Sequence, residues 1–472
     1  VTASAERLGA RVQFRLEEVL AATGGELVRL GARMHLTGIT TDTRALEPGE
    51  LFIALRGERH DGHAWLAAAA AGGAGAVLVE HGTAVPSDLA PGCAVIAVRE
   101  TLAALGDLAR DHRRRRGAAV LAVAGSNGKT TTKEMVAAIL RCAFGGDAVL
   151  HTRGTQNNLV GLPLTLLRLA AERVAVVELG MNHPGELWRL GEIADPDVGV
   201  ITSVGPEHLE GVGSVRGAAD AEAELFRRLR PSAIAVVNAD DPWVRWAATH
   251  FPGRQIRFGG DAEVSAHEVR DGGLEGSRFQ LRIGDTEVPV HLPMPGRHNV
   301  SNALAAAAMA HALGVEPPAI RTGLEALEPP TMRMQVVRVG NGVTVLNDAY
   351  NANPASMAAA LDTLRTSTAV RRLAALGEMR ELGAAAAEAH EELGRVAAGA
   401  GLDRLFVLGP LAARVREGAL MGGMQPEQVV VAADHAALAA TLREELRAGD
   451  VLLLKGSRGA AMEAVLEKLR AS

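Results

Sequence analysis

Residues 120–134 read VLAVAGSNGKTTTKE, an apolar run followed by a Gly-Ser-Asn-Gly-Lys-Thr-Thr turn and then by helix formers. That order is a buried strand, a tight anion-binding turn and a helix N-terminus. Gly125 and Gly128 let backbone N–H groups turn toward phosphate oxygens, Lys129 can reach the outer phosphates, and the Thr130 hydroxyl can hold Mg²⁺. Ser126, Asn127 and Thr131 belong to the same turn, and the chain is expected to bind a nucleoside triphosphate there. The general pattern G-x-x-x-x-G-K-[ST] places its first glycine at position 123, where this chain has Val123, so the match is to the shorter loop G-x-x-G-K-T.

A chain of 472 residues exceeds one ordinary core, and three domains fit its length. A net charge of -6 gives no global reason to bind nucleic acid or an anionic membrane, so any anion site is local. The two cysteines, Cys93 and Cys142, are too few for a disulfide framework, have no metal-ligand spacing, and read as small buried apolar residues. The longest apolar run, Trp65 to Val79, is interrupted by glycines and reads as helix, turn and strand instead of a membrane span. The first residues, VTASAERLGARVQF, show no basic segment followed by an apolar one. The expectation is a cytoplasmic monomer with no membrane span.

Three blocks separate along the chain. Residues 1–116 form a small α/β unit with short strands at 51–55, 76–79 and 94–98. The run Arg113 to Arg116 can attract phosphate or end a solvated helix; it is read here as a boundary. Residues 117–328 alternate apolar strands (120–124, 174–178, 198–203, 233–238) with helices, the signature of a mostly parallel sheet covered on both faces. The stretch 259–295 reads as an antiparallel insertion, and 299–313 as an alanine-rich helix. Glu328-Pro329-Pro330 breaks the chain, and residues 329–472 restart the alternation as a doubly wound, Rossmann-like unit.

Several carboxylates and one histidine fall at strand ends, where α/β sheets bind ligands. Glu178 ends RVAVVE and can complete a Mg²⁺ shell with Thr130, although a strand-end glutamate also caps or faces water. His208 follows VGVITSV in the turn GPEHLEG, and spacing alone favours a surface histidine. Glu222 is one of three charges, with Asp220 and Glu224, on a helical segment whose ordinary reading is a solvated acidic face. Asp348 ends VTVLND, where a carboxylate can accept ribose hydroxyls; Asn351, Asn353 and Pro354 form the turn into the next helix. Arg333 follows the proline break and can reach a phosphate if the parts on either side of it close.

These segments together resemble the ATP-dependent Mur ligases of peptidoglycan synthesis over nearly the whole chain. The resemblance rests on TDTRALEPGELFIALRGERHDGH at 41–63, AGSNGKTTTKEM at 124–135, TQNNLVGLPLTLL at 155–167, ELGMNHPGE at 178–186, HLEGVGS at 208–214, PGRHNVSNALAAA at 295–307, NDAYNANPASM at 347–357, LGEMRELG at 376–383 and LLKGSRG at 453–459. HLEGVGS and the DAYNANP run look like the branch that adds D-alanyl-D-alanine. The resemblance implies an ADP-forming amide ligase that uses ATP and Mg²⁺. It would activate the terminal carboxylate of UDP-N-acetylmuramoyl-tripeptide as an acyl phosphate for attack by the dipeptide amine. It also implies roles: Lys129 neutralises transferring charge, Thr130 and Glu178 ligate one Mg²⁺ and His208 a second. Asn299 contacts adenine, Asp348 ribose and Arg333 the phosphates. Asp42, Thr43 and Arg44 lie near the UDP end of the substrate, and Asn157, Asn158 and Asn182 among its central contacts.

The chain departs from that pattern at Glu222. The family often carries there a lysine that CO₂ converts to a carbamate, so Glu222 is read as a carboxylate standing in for the carbamate at the metal site. Tyr350 stands where some sibling ligases place a lysine. A single-amino-acid ligase or folylpolyglutamate synthase of the same superfamily, and an inactive nucleotide-binding relative, are the competing readings.

Overall fold

The computed structural model describes residues 12–57, 60–86 and 89–470, so the leader reading at residues 1–11 lies outside the described residues. The chain packs as two units. The first comprises the described residues within 12–122, 146–180 and 186–197, and the second those within 123–145, 181–185 and 198–470.

In the first unit a five-stranded sheet runs in the order Glu26–Arg29, Ala94–Val98, Ala76–Glu80, Leu51–Ile53, Ile39–Thr40. The first pair is antiparallel and the others parallel. Its central strands are apolar at almost every position because both faces are covered, and Phe52, Val77 and Val95 pack on Leu66 and Ala69 of the helix Leu66–Ala71. The 65–79 run is therefore helix, turn and strand, as its glycines predict. Farther along, Val174–Glu178 pairs in parallel with Val149–His151.

Helix Thr101–Arg116 ends where Gly117 takes a left-handed conformation, φ 68°. Of its terminal arginines Arg113 departs from the solvated-end reading, whereas Arg114, Arg115 and Arg116 are exposed as that reading expects. Arg113 is buried and pairs with Asp197 at 2.7 Å, Arg114 with Asp195 at 3.0 Å and Arg115 with Glu18 at 2.7 Å. Cationic side chains in the last turn also complement the helix dipole. The cysteine reading holds for Cys93, which is buried, and fails for Cys142, which is exposed on the outer side of helix Lys129–Phe144.

The second unit contains two sheets. Strands Val198–Ile201, Ile234–Asn238, Arg254–Phe258, Val264–Asp271, Ser277–Ile283 and Thr286–Leu292 neighbour one another in chain order. They are parallel as far as Val264 and antiparallel through the insertion. Helix His298–Ala312 is alanine-rich and buried along most of its length. The other sheet has the order Gln335–Val339, Val343–Asp348, Val451–Lys455, Arg372–Leu376, Arg404–Leu408, Val429–Ala432, with only the first pair antiparallel. Its winding is legible along a single strand. Val451 and Leu453 face helices Pro354–Thr366, Ala386–Gly399 and Ala412–Met421, while Leu452 and Leu454 face His435–Glu445 and Glu463–Arg470.

After the proline break the backbone is irregular. Met332 and Met334 adopt φ of 57° and 50°, a region costly for side chains of this size, and flank Arg333, whose guanidinium lies 4.2 Å from the centre of the Tyr350 ring.

Candidate active site

The loop between strand Ala119–Ala124 and helix Lys129–Phe144 is held in shape from below. Ser126 N–H donates to the Ser203 carbonyl at 2.7 Å, and Thr202 Oγ1 donates to the Asn127 carbonyl at 2.6 Å. Gly125 and Gly128 have φ of 119° and 86°, and Thr130 and Thr131 open the helix. A Cβ on Gly125 would lie 2.3 Å from Thr202 Oγ1 and 2.7 Å from Thr202 N. Gly125→Ala is therefore expected to lower stability by about 1–3 kcal/mol and weaken ADP binding at least about tenfold, readable by thermal melting and calorimetry.

Lys129 folds over this loop, its Nζ 2.5 Å from the Gly125 carbonyl, 3.2 Å from that of Ser126 and 3.5 Å from Glu207 Oε2. Glu207 Oε1 is in turn 3.3 Å from His208 Nε2, and His208 Nδ1 is 2.5 Å from Glu381 Oε2. Both His208 (φ 52°) and Glu381 (φ 64°) sit in the left-handed region. Burial alone lowers the affinity of His208 for a proton, but the Glu207 and Glu381 carboxylates outweigh it and raise its pKa to about 9. His208 is thus an imidazolium between two carboxylates. A role as metal ligand requires it to lose that proton and one of these partners.

Glu222 corrects the solvated-face reading. It is only 2% exposed, whereas Asp220 on the same helix pairs with Arg216 at the surface. Burial pushes its pKa up to about 8; Lys129 opposes the shift, Glu207 adds to it, and a hydrogen bond from the Gly125 backbone opposes it again. Glu222 Oε2 is buried with no hydrogen-bond partner. The Glu222 carboxyl, held by the Gly125 backbone and within electrostatic reach of His208, would become a donor suited to a divalent cation once its proton leaves. Mg²⁺ takes one or two carboxylates and completes its shell with water and phosphate oxygens.

The loop also meets the C-terminal sheet, through a hydrogen bond from Asn353 Nδ2 to Asn127 Oδ1 at 2.9 Å. Asn353 is at the same time the N-cap of helix Pro354–Thr366. Asp348 holds the Met334 N–H at 3.0 Å with one oxygen and the buried Lys455 ammonium at 2.5 Å with the other. Asn299 is buried, donating to the Pro295 carbonyl at 2.7 Å and accepting from Asn302 at 2.9 Å. A Cβ on Gly128 would fall 2.2 Å from Asn302 Oδ1, so Asn299 and Asn302 form a polar floor under the loop.

The remaining expected residues have local partners. In the first unit Glu178 is buried and accepts from Asn157 Nδ2 at 2.9 Å. Asn158 Oδ1 accepts N–H bonds from Val160 and Gly161, just ahead of and at the first residue of helix Gly161–Leu166. Asp42 and Arg44 pair with each other in a fork at 2.7–3.2 Å on the surface beside Thr43. Asn182 packs its carbonyl where a Cβ on Gly211 would come. Sequence reasoning gave no role to Glu207, Glu381, Lys455, Ser457 or Arg458. The signals were present, since Glu207 precedes His208 in GPEHLEG and the others stand in LGEMRELG and LLKGSRG.

A glycine-shaped phosphate loop with an ammonium over it, a buried carboxylate beneath it and a doubly wound sheet against it define an ATP-dependent ligase of the Mur type. Family models match in series: "Mur ligase family, catalytic domain" over residues 35–113, "Mur ligase middle domain" over 123–310, and "Mur ligase, glutamate ligase domain" over 332–458. The chain belongs to the Mur ligase family, and its α/β fold is the three-domain fold of those enzymes. It is 38% identical to the UDP-N-acetylmuramoyl-tripeptide--D-alanyl-D-alanine ligase of Escherichia coli over 97% of this chain and 99% of that one. Among solved structures it is similar to MurF from Acinetobacter baumannii, with a TM-score of 0.89 and 32% identity over 98% of this chain and 100% of that one. It is also similar to the MurF ligase from Thermotoga maritima in complex with ADP, with a TM-score of 0.81 and 28% identity over 92% and 97%.

Proposed function

We propose that this chain joins D-alanyl-D-alanine to the terminal carboxylate of UDP-N-acetylmuramoyl-tripeptide, with ATP cleaved to ADP and phosphate, in the cytoplasm. The observation that carries the reading is the relationship, over 97% of the chain, to a UDP-N-acetylmuramoyl-tripeptide--D-alanyl-D-alanine ligase, joined to a phosphate loop held in shape by its supporting contacts. A carboxylate is a poor electrophile, so the reaction passes through an acyl phosphate, which the dipeptide amine attacks.

The residues divide that work. Gly125 to Thr131 offer N–H groups to the phosphates, and Lys129, now on two backbone carbonyls, moves its charge onto the transferring phosphoryl group. Thr130, Glu178, His208 and Glu222 are the residues proposed to hold Mg²⁺, with His208 first giving up its proton. The metal supplies charge neutralisation where several anions meet. Asn299 is proposed for the adenine, Asp348 for the ribose and Arg333 for the phosphates. Asp42, Thr43 and Arg44 are proposed for the UDP end, and Asn157, Asn158 and Asn182 for the peptide arm. The domain limits proposed are 1–116, 117–328 and 329–472.

A panel of amine acceptors tests the reading. ADP release in the presence of UDP-N-acetylmuramoyl-tripeptide is expected with D-alanyl-D-alanine and not with D-glutamate, diaminopimelate or lysine. Release with a single amino acid, or with folate plus glutamate, would move the chain to another branch, and nucleotide binding without release would make it an inactive relative. Running the panel with the lysine and the diaminopimelate tripeptides identifies the third residue accepted.

A further inference from the structure

The segment 202–205 leaves strand Val198–Ile201 and carries the chain on to Glu207 and His208. It grips the phosphate loop through the Thr202 N–H and hydroxyl, which donate to the Ala124 carbonyl at 3.0 and 3.1 Å, and through the Gly205 N–H, which donates to Ser126 Oγ at 2.9 Å. Two more of its backbone groups are held by the turn that opens the run NADDP at 238–242. The Thr202 carbonyl accepts from Asn238 Nδ2 at 2.8 Å, and the Val204 N–H donates to Asp241 Oδ2 at 2.8 Å. Asn238 is buried at the end of strand Ile234–Asn238, and its Oδ1 accepts the Asp240 N–H at 3.0 Å, which leaves the amide NH₂ for Thr202. The other Asp241 oxygen accepts the N–H groups of Trp243 and Val244 at 2.8 and 3.1 Å and so caps helix Pro242–Ala248. The turn itself is anchored, with the Ala239 N–H on the Phe258 carbonyl at 2.8 Å and the Gly260 N–H on Asp240 Oδ2 at 3.2 Å.

We infer that Asn238 and Asp241 are positioning residues for the reaction: they fix the 202–205 segment, which in turn fixes the phosphate loop and the place of Glu207. The inference rests on the nucleotide-site reading of the loop and adds two residues that act through the protein. A phosphate loop must leave N–H groups free to face its ligand, so its shape depends on contacts made by its other atoms. A loop already held in that shape loses little freedom when phosphate arrives. The same segment delivers Glu207 to 3.5 Å from Lys129 Nζ, so displacing it moves the loop and its acidic neighbour together. The two holding contacts have opposite polarity. Asn238 gives an N–H to a carbonyl, and Asp241 gives an oxygen to an N–H, so exchanging amide for carboxylate at either position sets like against like.

The experiment makes those two exchanges in the full chain and measures ADP binding with Mg²⁺ by calorimetry, turnover, and the melting temperature. Asp241→Asn keeps an oxygen for the helix cap and turns an NH₂ toward the Val204 N–H. Asn238→Asp turns a carboxylate oxygen toward the Thr202 carbonyl. The first removes a negative charge and the second adds one, yet both are expected to weaken ADP binding by about five- to fiftyfold and to lower kcat by about tenfold. Thr202→Val, which leaves the turn intact and removes the hydroxyl held on the Asn127 carbonyl, is expected to weaken ADP binding in the same range. Thr202→Ser is expected to restore it to within about threefold of wild type. Effects of opposite sign in the two charge exchanges would show a direct electrostatic action on the nucleotide and overturn the inference. So would lowered melting temperatures with ADP affinity and turnover of the folded variants within about twofold of wild type, the result of a purely structural role. Failure of wild-type protein to bind ADP would instead overturn the nucleotide-site reading itself.

Discussion

Replacing Lys129 with methionine is expected to lower turnover by about two to three orders of magnitude while leaving the fold intact. Methionine preserves helix propensity and the apolar stem, so thermal stability should move by less than about 1 kcal/mol. What is lost is an ammonium lying over the phosphate loop, 2.5 Å from the Gly125 carbonyl and 3.5 Å from Glu207. In the ground state that charge is shared among protein oxygens. It becomes most valuable when the transferring phosphoryl group carries its greatest charge between the nucleotide and the substrate carboxylate, which is why kcat should fall more than ADP affinity. Single-turnover kinetics and ADP titration read the two separately. Turnover within tenfold of wild type would contradict the role assigned to Lys129.

Glu222→Gln is expected to stabilise the ligand-free protein at alkaline pH and to disable it as an enzyme. The sign follows from linkage. The folded pKa of about 8 lies above the ordinary 4.5, so between those values the native protein keeps a proton that the unfolded chain has released. Stability therefore falls as pH rises from about 4.5 to about 8, and the loss is complete above that. Glutamine has no such penalty, so at pH 9 the variant should be more stable by about 2–4 kcal/mol, and at pH 4 the difference should largely vanish. Turnover should drop about a hundredfold and require more Mg²⁺, because the missing charge is the one available to the metal. Wild-type activity should be indifferent to removal of bicarbonate, since Glu222 carries its own carboxylate. Full turnover with unchanged Mg²⁺ dependence in Glu222→Gln would defeat this assignment.

The strands were readable because each is a short apolar run between turn residues, and the runs read at 174–178, 198–203, 233–238, 373–376, 405–408 and 451–454 each contain or fall within a parallel strand, with ends shifted by at most two residues. The loop was readable because its function is carried by seven consecutive residues. Side-chain partnerships were not, because they join residues far apart in the chain. Arg113 meets Asp197 across 84 positions, and Asn353 meets Asn127 across 226. Glu222 shows the same limit at shorter range. Among three alternating acidic residues, only the packing of helix Val215–Arg228 decides which one turns inward. His208 looked like an ordinary loop histidine until Glu207 and Glu381 appeared on its two ring nitrogens.

The central claim is that this chain activates a tripeptide carboxylate as an acyl phosphate for attack by D-alanyl-D-alanine. It is tested most directly with UDP-N-acetylmuramoyl-tripeptide labelled with ¹⁸O in its terminal carboxylate. Mass spectrometry should find one ¹⁸O in each phosphate released, together with ADP and the UDP-linked pentapeptide in equal amounts. Unlabelled phosphate, or labelled phosphate without pentapeptide, would contradict it.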